Sequence, residues 1–159
     1  MKTLIVYYSL EGNTDYAAKR IAEKTGFDLL RIETVKKYPT SGFRKFFHGG
    51  KSAVFEETPE LVPYSIDLGA YDQIVIGFPV WAGNVAPPIR TFIKAHDLTK
   101  KSIAAFACQS GSGAEKAFEK LRKALGIASF KAEMVLIDPE KKPSAENDRK
   151  IETFCRQLT

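Results

Sequence analysis

The chain has 159 residues, long enough for one domain with a full core and short for two. With 44% apolar and 27% charged residues it reads as a soluble globular protein, and no apolar run approaches the length of a membrane span. The net charge of +5 would invite a nucleic-acid partner, but the basic residues are interleaved with acids, as in Lys19, Arg20 and Lys24 or Lys116, Lys120, Arg122 and Lys123, and read as solvated helix faces.

Met1-Lys2-Thr3 runs directly into an apolar strand, an arrangement that leaves no room for a signal peptide. Cys108 and Cys155 form no motif, so the expected setting is the reducing cytoplasm. The first strand, residues 4–8, is apolar on both faces, as an inner strand of a parallel sheet must be. Ser9-Leu10-Glu11-Gly12-Asn13-Thr14 follows and opens a helix-patterned stretch. Such a loop gathers hydroxyls, free backbone N–H groups and a helix N-terminus onto one anion. It has no lysine, so it is not a nucleoside-triphosphate loop, and it lacks the Gly-x-Gly-x-x-Gly dinucleotide fingerprint. What remains is a site for a single terminal phosphate held by neutral donors.

The first helix presents Ala17, Ala18, Ile21 and Ala22 on one face and stops at Gly26. In the second strand Leu30 and Ile32 alternate with Arg31 and Glu33, the pattern of a half-exposed edge. Residues 36–72 are too many for a bare loop. The segment Gly42 to Gly50, rich in aromatics, predicts a short helix over 42–54, either a surface helix packed on the sheet or a flap beside a ligand.

The third strand, Ile74-Val75-Ile76-Gly77-Phe78, is inner, and Pro79-Val80-Trp81-Ala82-Gly83 follows it. A lone tryptophan is ordinarily core. Here its place past a strand end, between proline and glycine, would offer an indole face to a flat ligand. Pro87-Pro88 opens a helix with Ile89, Phe92 and Ile93 inward, and His96 beside Asp97 reads as a positive charge at its C-terminus.

The fourth strand, residues 103–107, is inner again. The loop Cys108-Gln109-Ser110-Gly111-Ser112-Gly113 has small residues that let backbone approach a ligand edge. Ser112 with Glu115 predicts a capping box opening a helix that ends at Gly126. Phe130, Ala132, Met134 and Leu136 alternate with Lys131 and Glu133 in a second edge strand. A last helix carries Ile151, Phe154, Cys155 and Leu158.

The whole reads as an α/β domain with a five-stranded, doubly wound parallel sheet in the order 2-1-3-4-5. In that order the loops after strands one, three and four lie together at the carboxyl end, where ligands bind. One phosphate loop, one aromatic loop and one small-residue loop make a site for a flat ring with a phosphate arm. FMN has that shape. Neither a metal cluster nor an acid–base pair is evident.

With its Tyr-Ser-x-x-Gly-Asn-Thr loop and its Pro-Val-Trp-x-Gly loop before Pro-Pro, the chain resembles the flavodoxin family over nearly its whole length; flavodoxin itself exemplifies the strand-order rule just used. The resemblance implies Ser9, Asn13 and Thr14 as side-chain phosphate ligands, with N–H groups from residues 10–14. It implies Pro79 to Gly83 along the inner face and dimethylbenzene edge of the flavin, and backbone from Cys108 to Gly113 at its pyrimidine edge. It also implies electron transfer to a redox partner protein or a small donor or acceptor.

The chain departs from that pattern at several points. Glu11 stands where a flavodoxin usually has a hydroxyl residue, so it should point outward and lend only its N–H. Ala82 stands where many flavodoxins have glycine. Gly113 stands where the family commonly stacks a tyrosine, and the family's strong acidity is missing. Three readings follow: an FMN-binding electron carrier, an FMN-dependent NAD(P)H:quinone-type reductase favoured by an open flavin face, or a relative that has lost FMN. A signalling receiver domain is excluded, because Tyr8-Ser9 and Phe78-Pro79 stand where it needs acidic residues.

Overall fold

Strands that are apolar on both faces need cover on both sides, and the computed structural model supplies it. It describes residues 1–39 and 57–159, so the helix expected over 42–54 lies outside the described residues. In chain order the elements are β1 (Thr3–Tyr7), α1 (Asn13–Thr25), β2 (Asp28–Arg31), β3 (Gln73–Trp81), β4 (Asn84–Val85), α2 (Pro87–Ala95), β5 (Ser102–Gln109), α3 (Ala114–Leu125), β6 (Glu133–Ile137) and α4 (Ala145–Leu158).

The five long strands pair in parallel in the order β2-β1-β3-β5-β6, which is the order expected from sequence. The difference in detail is β4, a two-residue strand that folds back antiparallel on β3 with Val80 opposite Val85 and Trp81 opposite Asn84. Side chains alternate as a pleat requires. Leu4, Val6, Ile74, Ile76, Phe78 and Ala105 face α2 and α3 with Ile89, Phe92, Ala117, Phe118 and Leu121. Ile5, Tyr7, Val75, Ala104 and Phe106 face α1 and α4 with Ile21, Ile151, Phe154 and Leu158. The outer strands β2 and β6 are partly exposed, as their alternation predicts.

Two boundaries differ from the sequence expectation, and both bear on the site. β3 continues past Phe78 through Pro79 to Trp81; Pro79 pairs with Cys108 at the end of the ladder, where a missing N–H is tolerated. The helix α3 begins at Ala114 rather than Ser112, with Gly113 as its N-cap and no side-chain cap at that position. The Gln109 side-chain carbonyl instead accepts from Ala114 N–H at 3.0 Å, which replaces the predicted capping box.

The ends of the long connection are pinned. Thr34 bridges Leu61, Val35 N–H donates to Glu60 O at 3.0 Å, and Thr91 Oγ1 donates to Pro59 O at 2.7 Å. His96 is no C-terminal charge. Its Nε2 shares a 2.7 Å hydrogen bond with the Tyr64 hydroxyl, it packs on Phe92, and desolvation holds its pKa below the ordinary value.

Candidate functional site

A parallel sheet points every strand's carboxyl end the same way, and here those ends frame a cavity of about 770 Å³. That is ample for a mononucleotide-sized ligand, in the usual range of roughly 300–1,000 Å³. Every residue singled out from the sequence as a cofactor contact lines it except Gly12; Ser112, Lys116, Asp138 and Lys142 line it as well.

The first wall is Ser9 to Thr14. Gly12 caps α1 with φ 109°, a conformation only glycine takes readily, and a Cβ there would meet the Glu140 carboxylate. The first helical bond runs from Tyr16 N–H to Gly12 O at 2.9 Å, so Asn13, Thr14 and Asp15 have no intrahelical acceptor for their N–H groups. Ser9 and Thr14 are 4% and 1% exposed, and neither Ser9 Oγ nor Thr14 Oγ1 has a hydrogen-bond partner. The Cys108 thiol near Thr14 is too weak a group to satisfy it. Two orphaned hydroxyls on one loop, beside free N–H groups, form a set of donors awaiting an anion.

The loop is held from behind. Arg31 of β2 donates to Ser9 O at 3.3 Å, and the same guanidinium pairs with Asp15. Asn13 Oδ1 accepts from the N–H groups of Glu140 and Lys141 at 3.0 and 3.4 Å, while its Nδ2 donates to Asp138 at 3.4 Å. Asn13 therefore clasps the loop after β6, with a hydrogen on Nδ2 still to spare. Glu11 points outward to Lys141 Nζ at 2.9 Å, as its charge demands beside an anion site.

The second wall is a β-hairpin. Ala82 and Gly83 are its two turn residues, with φ 48° and 72°, both left-handed as the tight turns favoured between twisted strands require. Trp81 is 6% exposed, with edge contacts to Tyr8 at 5.8 Å and Tyr38 at 5.2 Å, and it also lines the cavity. It is thus a core residue and a wall residue at once.

The third wall is Cys108 to Gly113. Gly113 has φ 106°, and a Cβ built there falls 3.0 Å from Gly83 N and Cα, so hairpin and third loop meet backbone to backbone. Burial pushes the Cys108 thiol up to about 12, with the Thr14 hydroxyl opposing and the Asp138 charge adding to the rise; it stays protonated and inert.

Asp138, Lys116 and Lys142 were not read from sequence. Asp138 is 6% exposed at φ 39° and accepts from Ser110 Oγ at 2.8 Å. The signal was present: strand order sets the end of β6 beside that of β5, so the Asp138-Pro139 turn belongs to the same rim. The two lysines lie on a helix and a loop with nothing local to mark them.

A family model described as Flavodoxin matches residues 2–147. Among solved structures, a protein from Bacteroides uniformis ATCC 8492 is 26% identical, covering 96% of each chain with a TM-score of 0.78. One from Bacteroides eggerthii DSM 20697 is 23% identical over 96% of this chain and 97% of that one, with a TM-score of 0.76. A Lactobacillus acidophilus NCFM flavoprotein solved in complex with FMN is 21% identical over 96% and 97%, with a TM-score of 0.70.

Proposed function

The chain belongs to the flavodoxin family, and from that premise we propose that it holds FMN non-covalently in this cavity and passes electrons through it. The observation that carries the reading is the pair of buried hydroxyls, Ser9 Oγ and Thr14 Oγ1, left without partners on the cavity wall. A phosphate oxygen satisfies both, and each charge-assisted bond contributes about 1.5–3 kcal/mol. When bound, FMN supplies one- and two-electron redox chemistry.

The residues then divide the work. Ser9, Thr14 and the N–H groups at the start of α1 hold the phosphate, with the α1 dipole adding to the attraction. The hairpin residues Pro79 to Gly83 border the ring, and the backbone from Cys108 to Gly113 meets its polar edge. Asn13 and Arg31 keep the phosphate loop in place by tying it to its neighbours. The setting is cytoplasmic, and the counterpart is a redox protein or a small electron donor or acceptor; among the described residues no helix is long and apolar enough to cross a membrane.

Reconstitution with FMN followed by desalting tests the reading. Near-stoichiometric flavin retained on the protein supports it; a colourless protein overturns it. A second reading, an FMN-dependent NAD(P)H:quinone-type reductase, is favoured by the open cavity with Lys116 and Lys142 on its wall. Flavin bleaching on mixing with NADH or NADPH, followed by quinone turnover, selects it over the carrier. The absence of bleaching at millimolar donor rejects it.

A further inference from the structure

Cations are unevenly matched around the cavity. At the phosphate-loop end each has an acidic neighbour: Arg31 pairs with Asp15 and Glu33, Lys141 with Glu11, and Lys142 lies 3.9 Å from Asp138. At the hairpin end three cations lie together with none. Lys116 lines the cavity, and its stem packs beside Gly83 at the turn. Lys120, one helical turn further along α3, reaches Asn84 Oδ1 at 2.5 Å on the returning strand. Arg90 of α2 lines the same small hollow as Asn84, Val85 and Lys120, and its Nε is buried without a partner.

Among the described residues no carboxylate comes within ion-pair distance of these three, although Glu115 and Glu119 stand on the same helix as the lysines. Lys116 and Lys120 are like charges at i,i+4, a spacing that disfavours a helix. Among the described residues the grouping is held by packing and hydrogen bonding to the hairpin at the rim of the cavity, not by ion pairs.

The hollow between Arg90, Asn84 and Lys120 measures about 20 Å³. That is room for roughly one water and too little for a phosphate or a ribose. A nucleotide finds no seat there, whereas a protein surface carrying carboxylates can lie across the exposed strip. We propose that the hairpin edge, marked by Lys116, Lys120 and Arg90, is the docking surface for a redox partner protein whose contact face is acidic. The inference rests on the FMN reading and specifies the partner class. Opposite charges steer such encounters and are felt most at low salt.

Stopped-flow mixing of the FMN-loaded, reduced full chain with two oxidised proteins of opposite charge tests it: plastocyanin, which is acidic, and cytochrome c, which is basic. Ferricyanide serves as a small anion beside them. With plastocyanin the rate should fall as salt is raised. It should drop about tenfold at low salt in Arg90→Glu/Lys120→Glu and by a smaller factor in Arg90→Gln/Lys120→Gln, a grading that lost packing would not produce. With cytochrome c the reversal variant should react faster than wild type. Plastocyanin rates unchanged in both variants, or an equal drop in both, overturn the proposal, and so does a drop confined to ferricyanide. A wild-type protein without flavin absorbance before mixing overturns the cofactor reading itself, so the two failures are told apart.

Discussion

Ser9 and Thr14 place two unpartnered buried hydroxyls on one loop; the other buried side-chain atoms without a partner among the described residues, Arg20 Nε, Gln73 Oε1 and Arg90 Nε, lie outside it. A buried, unsatisfied hydroxyl costs about 1–3 kcal/mol. Thr14→Val, which keeps the shape and removes the hydroxyl, should therefore raise the denaturation midpoint of the FMN-free protein while weakening FMN binding at least tenfold. Urea unfolding without cofactor reads the first effect and fluorescence titration the second; a fall in stability would mean that the hydroxyl has a partner in the fold. Glu11 behaves oppositely. Its bond to Lys141 is solvent-exposed, and exposed pairs contribute about 0–1 kcal/mol, so Glu11→Gln should leave the urea midpoint nearly unmoved. The outward turn of Glu11 was legible in the sequence because charge alone forbids the alternative. The cap of α3 was not, because Gln109 and Ser112 are both polar and only the backbone at Gly113 decides between them.

At the scale of elements, the strands and most helix ends follow from local pattern: Pro87-Pro88 opens α2, and Gly26 and Gly126 close α1 and α3 in the left-handed conformation. The hairpin does not follow. Pro79 reads as a strand breaker, yet it sits at the last rung of the ladder, and the chain goes on to Trp81 before turning. That extension moves Trp81 from an open loop into the aromatic cluster with Tyr8 and Tyr38. The contact between Gly113 and Gly83 then locks the second and third walls together. Gly113→Ala forces a Cβ into a left-handed position and against the Gly83 backbone, which should cost about 2 kcal/mol or more and weaken FMN binding as well. Unfolding and titration of that variant check both. Stability unchanged from wild type would mean that the two loops are not packed as described.

For the molecule as a whole, strand order, layering and the end of the sheet that carries the site were all readable, because inner and edge strands differ in periodicity. The partner of His96 was not, since Tyr64 lies in the long connection and only the fold brings them together. Desolvation disfavours the protonated ring in the folded state, so its contribution is complete above the ordinary histidine pKa of about 6.5 and is lost as pH falls below it. Asp15, Asp28 and Asp97 are shifted down and add their own losses only under more acidic conditions. Wild type should accordingly lose stability between pH 7 and 5.5, and His96→Gln should lose less over the same interval. Urea midpoints across that range decide it, and parallel curves for the two proteins would remove His96 from the account.

In the proposed function, Ser9 Oγ and Thr14 Oγ1 make the cavity a seat for the FMN phosphate. Calorimetric titration of wild type and of Ser9→Ala/Thr14→Val with FMN and with riboflavin, which lacks the phosphate, tests it most directly. Wild type should bind one FMN per chain, at least about 100-fold more tightly than riboflavin, from two charge-assisted bonds. In the double variant most of that gap should close while riboflavin binding hardly changes. Failure to bind FMN, or an equal gap in both proteins, would contradict it.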